Sequence, residues 1–117
     1  MKFGIWQINL SNVEINEVNA GNDVPKFNAS RDGMIGKFKP ENFEFYDRVA
    51  EIKGDNLNDV FQVGNIGPEK YIERYHPMHS LSVGDIIEDE AGDMFVVAMF
   101  GFKKLFGDGA MVNNWVE

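Results

Sequence analysis

The chain has 117 residues, no cysteine and a formal net charge of −8, from 19 acidic and 11 basic side chains. Its length fits one domain, and with 44% hydrophobic residues a packed core needs no covalent cross-links. The composition excludes disulfides, thiolate zinc sites and a cysteine nucleophile. It also argues against wrapping a phosphate backbone, because such binding needs clustered lysine and arginine.

The sequence gives no indication of a membrane or export segment. No apolar run approaches the roughly 20 residues that cross a bilayer, and the start alternates apolar and polar residues rather than forming a signal peptide. We therefore expect a cytoplasmic protein without membrane contact. The net charge of −8 leaves two interpretations open: solubility alone, or an acidic surface that docks on a basic partner face in imitation of nucleic acid.

The N-terminal residues predict a strand followed by a short helix. Lys2–Leu10 alternates its side chains as a strand does. Ser11 and Glu14 have the spacing of a capping box, in which each side chain satisfies a backbone N–H of the other residue. A helix over about 11–19 would then end at Gly21. The inward face of this helix is predicted to hold Val13, Ile15 and Val18.

Residues 20–42 are the least regular part of the chain. They contain three glycines and two prolines with polar residues between them, a composition typical of turns and loops. We predict an irregular loop over 20–42. Loops of this length inside a compact domain are commonly mobile or functional.

A second strand and a second helix are predicted next. Phe43–Lys53 is rich in apolar and aromatic residues and reads as a strand. Asp55 has the position to cap a helix over about 56–63, and Gly64 stands where that helix would stop. Glu69–Tyr75 fits either a short strand or an irregular connection. The apolar face of the helix follows the i, i+3, i+4 spacing through Leu57, Val60 and Phe61.

The next segment predicts a β-hairpin. Ser80–Glu88 reads as a strand with a bulge or turn at Gly84, and the acidic residues after it form the hairpin tip. Met94–Phe100 is almost continuously apolar, as expected for a strand covered on both faces. Residues 106–117 form a short tail.

These elements predict one α+β domain over residues 1–117. We expect the order β-α-β-α-β-β, with a mixed or antiparallel sheet, two short helices and a C-terminal β-hairpin.

Five carboxylates around the predicted hairpin tip are the candidate binding site. They do not have the alternate spacing around a glycine, with a closing bidentate acid, that a calcium loop requires. We therefore interpret them as a solvated tip, with docking of a partner or weak binding of a divalent ion as the alternatives. The five residues are Asp85, Glu88, Asp89, Glu90 and Asp93.

Glu73, His76 and His79 are weak candidates for metal ligands. All three side chains can ligate a metal, but Pro77 breaks any helix that would place them on one face. No serine stands in a G-x-S-x-G elbow, and no glycine-rich segment has a nucleotide-binding pattern. We predict no metal, no cofactor and no catalytic residue.

The segment from His79 to Phe102 resembles the YodL-like domain family. The upstream run Tyr46–Ile52 and the helix Leu57–Val63 also resemble phage members of that family, so the resemblance spans about residues 43–105. The pattern that carries it is His79-Ser80-Leu81-Ser82-Val83-Gly84-Asp85-Ile86-Ile87, an acidic turn, Phe95-Val96-Val97 and then Gly101-Phe102.

The resemblance implies a small accessory protein of a phage or plasmid. It carries no catalytic residues over to this chain. Such proteins often act by binding a host or phage protein, so the resemblance implies a binding function by association. We expect a non-enzymatic binding protein, with inhibition of a host system as one form of that function, and we do not expect a nucleic-acid partner.

One alternative fold and function stays open. The turn and strand from Ser82 to Ile87 are similar to those of PUA/ASCH-like and SH3-like barrels, which include RNA-binding domains. An RNA- or single-strand-binding domain would need aromatic side chains beside basic ones. The aromatic set available for such a platform is Tyr71, Tyr75, Phe95, Phe100 and Phe102.

Overall fold

The computed structural model describes residues 1–107, 110–111 and 115–116. The helices of this part are α1 (Asn12–Asn19), α2 (Pro25–Met34) and α3 (Leu57–Ile66), with short 3-10 segments at Pro40–Phe45 and Glu69–Tyr71. The strands are β1 (Lys2–Gln7), β2 (Asp47–Lys53), β3 (Ile72–Arg74), β4 (Ile86–Glu88), β5 (Met94–Val97), β6 (Phe102–Gly107), β7 (Ala110–Met111) and β8 (Trp115–Val116).

The strands form one antiparallel sheet in the order β3-β2-β1-β4-β5-β6. The two-residue strands β7 and β8 both pair with β6. The predicted α+β class is therefore confirmed at this coarse level. The finer order is wrong, because a third helix and strand β3 are present. The hairpin of β4 and β5 is not C-terminal, because β6 continues the sheet beyond it. Part of the predicted tail 106–117 lies outside the described residues.

Helix α1 has the predicted ends but not the predicted inward face. Ser11 and Glu14 form the capping box. The N–H of Gly21 donates to the Val18 carbonyl, and the next N–H donates to the carbonyl of residue 17, which is the Schellman pattern at a helix C-terminus. Val13 is nevertheless 70% exposed and Ile15 is 43% exposed. Val18, the third residue of the predicted inward face, is half-buried, and no residue of the helix is fully buried. With so little apolar burial, the capping hydrogen bonds are a main source of stability for this helix.

The irregular loop predicted over 20–42 is wrong, because α2 occupies ten of these residues. Pro25 stands at the start of the helix, where its missing N–H has no intrahelical partner to lose. Ala29 and Gly33 are buried against the rest of the molecule. Gly33, one of the three glycines behind the loop prediction, instead lies inside the helix and contacts Gly84.

Three predicted strands are shorter in the structure. Phe43–Lys53 forms a strand only from Asp47 onwards, because Pro40–Phe45 is a 3-10 segment. Ser80–Glu88 forms a strand only from Ile86, because Gly84 adopts φ +98° and turns the chain. Met94–Phe100 ends at Val97, since a turn follows.

Helix α3 begins and ends later than predicted. Asn56 caps it instead of Asp55, by accepting from the Asp59 N–H. Gly64 does not stop the helix, which ends at Ile66 and is followed by Gly67 with φ +96° as its C-cap. A Cβ on Gly64 would lie 2.5 Å from the Leu81 side chain, so this glycine permits close packing of the helix on the loop before β4.

The sheet has an apolar cluster on each face. The first cluster contains Val60 and Val63 of α3, packed on strand residues such as Ile52 and Ile87. The second contains Ala29 of α2 and side chains of the 3-10 segment, packed on Ile86, Val96 and Leu105. None of the helices described here is long and apolar enough to cross a membrane.

Candidate functional site

The predicted acidic tip is divided by the fold. Asp85 is 6% exposed. It directly precedes β4 and so lies at the opposite end of that strand from the β4–β5 turn. Glu88 accepts a hydrogen bond from the Trp6 indole N–H over 3.1 Å, and its carboxylate lies 3.7 Å from the Arg48 guanidinium. These two carboxylates are therefore not part of a solvated tip, and this part of the prediction is wrong.

The three remaining acids stand around the β4–β5 turn. Asp89 is bound by the turn itself, because its carboxylate accepts from the N–H groups of Ala91 and Asp93. Asp93 pairs with Lys104 on β6 over 3.5 Å. Glu90 is exposed. Asp89 and Asp93 thus already have partners that stabilise the hairpin.

The predicted metal candidates are not gathered into one site. Glu73 and His76 are exposed on and after the edge strand β3. His79 instead lies beside Asp85, with 3.8 Å between Nδ1 and Oδ2. Among the described residues, no group of three or more potential ligands could hold a metal ion.

A pair of glycines brings α2 against the turn before β4. A Cβ on Gly84 would lie 2.6 Å from the carbonyl carbon of Gly33, and a Cβ on Gly33 would lie 3.1 Å from the Gly84 Cα. The Tyr46 hydroxyl donates to the Gly84 carbonyl over 2.5 Å. Burial raises the pKa of Tyr46, and the nearby Asp85 charge raises it further, so the phenol stays a neutral donor.

Asp85 is the polar centre of this region. Its Oδ2 accepts from the Gln7 side-chain amide and from the Ser82 backbone N–H, both over 3.0 Å. Gln7, itself fully buried, also donates to the His79 carbonyl and accepts from the His79 N–H. One glutamine of β1 therefore fixes both the loop around His79 and the carboxylate.

The environment of Asp85 disfavours its charge. Burial raises its pKa to about 6, although the nearby His79 and the hydrogen bonds from Ser82 and Gln7 act in the opposite direction. The cost of removing the charged carboxylate from water is thus larger than the stabilisation that the neighbouring groups give to its charge. The carboxylate is ionised at neutral pH but only partly stabilised.

A cavity of about 220 Å³ opens above Asp85. Its floor is formed by the buried residues Ile8, Tyr46, Gly84 and Asp85. Exposed side chains stand at its rim, and partly buried ones complete the wall. We call this cavity the Asp85 pocket; its remaining lining residues are Ser30, Met34, His79, Ser82 and Val83.

A second feature is the turn between β5 and β6. The Ala98 N–H donates to the Gly101 carbonyl over 2.9 Å, and Gly101 has φ +82°. At its outer end Phe100 is 86% exposed and Met99 is 72% exposed. We call Met99 and Phe100 the apolar tip. Large apolar side chains gathered in one exposed place commonly mark contact sites.

Three buried residues in or next to the Asp85 pocket were not predicted from the sequence: Gln7, Gly33 and Tyr46. Gln7 had a visible signal, because it shares strand parity with Phe3 and Ile5 and so places an amide on the buried face. Gly33 and Tyr46 had none, since their contact with the turn at residue 84 exists only in three dimensions.

Comparison with protein-family models, curated proteins and solved structures found no match to this chain.

Proposed function

We propose that the chain is a non-enzymatic accessory protein of the kind that phages and plasmids encode, and that it acts in the host cytoplasm by binding another protein. The observation that carries this proposal is Phe100, a phenyl ring that is 86% exposed at the end of a hairpin. Aromatic residues and methionine are enriched in the buried cores of protein–protein interfaces relative to the rest of the surface.

The geometry of the tip supports this role. Val97 and Phe102 on either side of the turn are buried in the core, so the strands that present the tip are held in place. An anchor whose backbone is already ordered loses less conformational entropy when it binds. The apolar tip therefore has the preorganisation that an anchor residue requires.

The net charge of the chain and its resemblance to YodL-like proteins support a particular kind of binding partner. A net charge of −8 favours encounter with a basic protein surface. The resemblance of residues 79–102 to YodL-like proteins supports a phage or plasmid origin, for which the binding partner would be a host or phage protein. Inhibition of a host system is the form of this function that we favour.

Capture from host lysate tests the proposal. The tagged protein should retain a partner that the Phe100→Ser variant does not retain. Ile66→Ser is the matched control, because Ile66 is 81% exposed at the end of α3 and is not part of the tip. Retention by wild type and by Ile66→Ser, with loss in Phe100→Ser, is the expected pattern. Equal retention by all three proteins contradicts the proposal.

Single-strand nucleic-acid binding is a second candidate, favoured by one cleft at the β2–β3 edge. Lys2, Lys53 and Lys70 line this cleft with Tyr71, and the Lys70 ammonium lies 5.3 Å from the Tyr71 ring centroid. Basic groups beside an exposed aromatic ring are the elements of a stacking site. Two glutamates also line the cleft and weaken the case.

Fluorescence anisotropy with a labelled oligonucleotide tests this second candidate. If the cleft binds nucleic acid, binding at low salt should be abolished by Lys53→Glu with Lys70→Glu and should weaken as salt rises. Binding that is unchanged in the double variant, or no binding at low salt, removes this candidate.

A further inference from the structure

The Asp85 pocket combines a buried anionic floor with an accessible rim. Asp85 is 6% exposed at the floor, whereas Met34, His79 and Ser82 at the rim are exposed. A volume of about 220 Å³ admits a chain of several atoms, since a water molecule occupies about 30 Å³ of the liquid. Because Asp85 lines the cavity, a ligand that enters past the rim would lie next to this residue.

The groups that line the pocket select a cation on an aliphatic stem. Asp85 is the one acidic side chain among the lining residues, and Tyr46 and His79 are the other titratable groups there. The Tyr46 hydroxyl already donates to the Gly84 carbonyl, and the Ser30 and Ser82 hydroxyls can accept from a ligand as well as donate. The apolar lining residues of the pocket, Ile8, Met34 and Val83, suit the methylene groups that a lysine side chain carries behind its charge.

The pocket and the apolar tip lie at the same end of the sheet. The Gly84 N–H donates to the Val97 carbonyl, and the Val97 N–H donates to the Asp85 carbonyl, both over 2.8 Å. Val97 directly precedes the turn that carries Met99 and Phe100. One partner surface could therefore contact both features at once.

We infer that the Asp85 pocket binds a primary alkylammonium group, which a lysine side chain of the protein partner supplies in the complex. The inference deepens the proposed function and rests on it for the source of the lysine. A buried carboxylate that its own neighbours stabilise incompletely gains most from a cation brought by a ligand.

Titration of the whole protein with n-butylammonium chloride tests the pocket without any partner. Backbone amide NMR signals of Ser82, Gly84 and Asp85 should shift and saturate, and n-butanol should not reproduce this. Asp85→Asn should weaken n-butylammonium binding by about tenfold or more, because it removes one member of a partly buried charge pair. Asp55→Asn removes the same charge from an exposed position outside the pocket and should leave binding unchanged.

The pH dependence gives a second readout. The pKa of Asp85 near 6 means that affinity for n-butylammonium should fall by about tenfold for each pH unit well below that value. His79 also faces Asp85, and its protonation would repel the ligand too. The His79→Gln variant separates the two effects. If Asp85 is responsible, the affinity of this variant for n-butylammonium still falls as the pH is lowered.

Three results would overturn the inference: no saturable shift, equal binding of n-butanol, or undiminished binding by a folded Asp85→Asn variant. If Asp85→Asn does not fold, Ser30→Leu serves instead, because it fills the pocket while leaving the Gln7 and Ser82 bonds in place; retained binding would then contradict the inference. Binding of n-butylammonium without Phe100-dependent capture leaves the pocket standing and refutes the proposed function. Phe100-dependent capture without binding of n-butylammonium refutes the inference about the pocket and leaves the proposed function standing.

Discussion

Gln7 and Asp85 are 78 positions apart in the sequence, yet the Gln7 side-chain amide donates to the Asp85 carboxylate over 3.0 Å. The same amide group exchanges two hydrogen bonds with the backbone of His79. This relationship fixes the loop before β4 to the end of β1 and so shapes the floor of the Asp85 pocket.

Replacing Gln7 should destabilise the fold. Gln7→Leu removes three hydrogen bonds at a fully buried position and leaves a carboxylate with less compensation, so we expect a loss of about 2–3 kcal/mol in the free energy of unfolding. Urea denaturation measures it. Asn9→Ala is the control, because Asn9 donates to the Pro77 carbonyl of the same loop from an exposed position; a loss as large as that of Gln7→Leu would contradict the account.

The stability of the protein should depend on the ionisation of Asp85. Its pKa is raised to about 6 in the folded state, so the native state binds the proton more tightly than the unfolded chain does. The protonated Asp85 carboxyl contributes to the free energy of unfolding. This contribution is fully present below about pH 4, the ordinary pKa of Asp, and is lost as pH rises through about 6. It amounts to about 3 kcal/mol at most.

Asp85→Asn checks this linkage, because the amide carries no charge at any of these pH values. The free energy of unfolding of the variant should rise relative to wild type between pH 4 and pH 7, as measured by urea denaturation at each pH. A difference that is constant across this range, or that changes in the opposite direction, would show that the Asp85 pKa is not raised.

The contact of Gly33 with Gly84 should tolerate no added methyl group. Gly84→Ala introduces both a strained φ and a Cβ 2.6 Å from the Gly33 carbonyl carbon. Gly36→Ala introduces comparable strain, at φ +78°, but its Cβ meets nothing within 4 Å. We expect Gly84→Ala to cost about 1–3 kcal/mol more than Gly36→Ala in thermal or chemical unfolding. Equal losses would mean that α2 does not pack closely on this turn.

Helix α1 should tolerate polar substitution on the face that its sequence pattern assigns to the core. Val13→Ser should change the free energy of unfolding by no more than about 0.5 kcal/mol, as is usual at exposed positions. Ile52→Ala, at a fully buried position of β2, should cost about 2–5 kcal/mol. A large loss for Val13→Ser would show that α1 packs on the domain through Val13.

Local features of the fold were predictable from the sequence, and features that depend on distant contacts were not. The capping box of Ser11 and Glu14 was correct because it involves residues three apart. Helix α2 was missed because Gly33 reads as a breaker unless its contact with Gly84 is known. The predicted strand Ser80–Glu88 is too long for the same reason, since the turn at Gly84 is stabilised by Tyr46 and Val97 from elsewhere in the chain.

In the candidate site, too, local features were predictable from the sequence and features that depend on distant contacts were not. Asp85 was named from the sequence, but as one of five carboxylates on a solvated tip. Strand parity places Gln7 on the buried face, but no periodicity indicates that its amide binds the loop that carries Asp85. The apolar run Met94–Phe100 was assigned wholly to a buried strand, whereas its last residues form the exposed tip.

The most direct test of the central claim is site-specific photo-crosslinking in host cells. A benzophenone amino acid at position 100 should yield one covalent adduct of defined mass on irradiation, and the same group at position 66 should not yield it, because only the first position lies on the apolar tip. If position 100 gives no adduct, or if both positions give the same adducts, the tip does not anchor a partner and the proposed function is wrong.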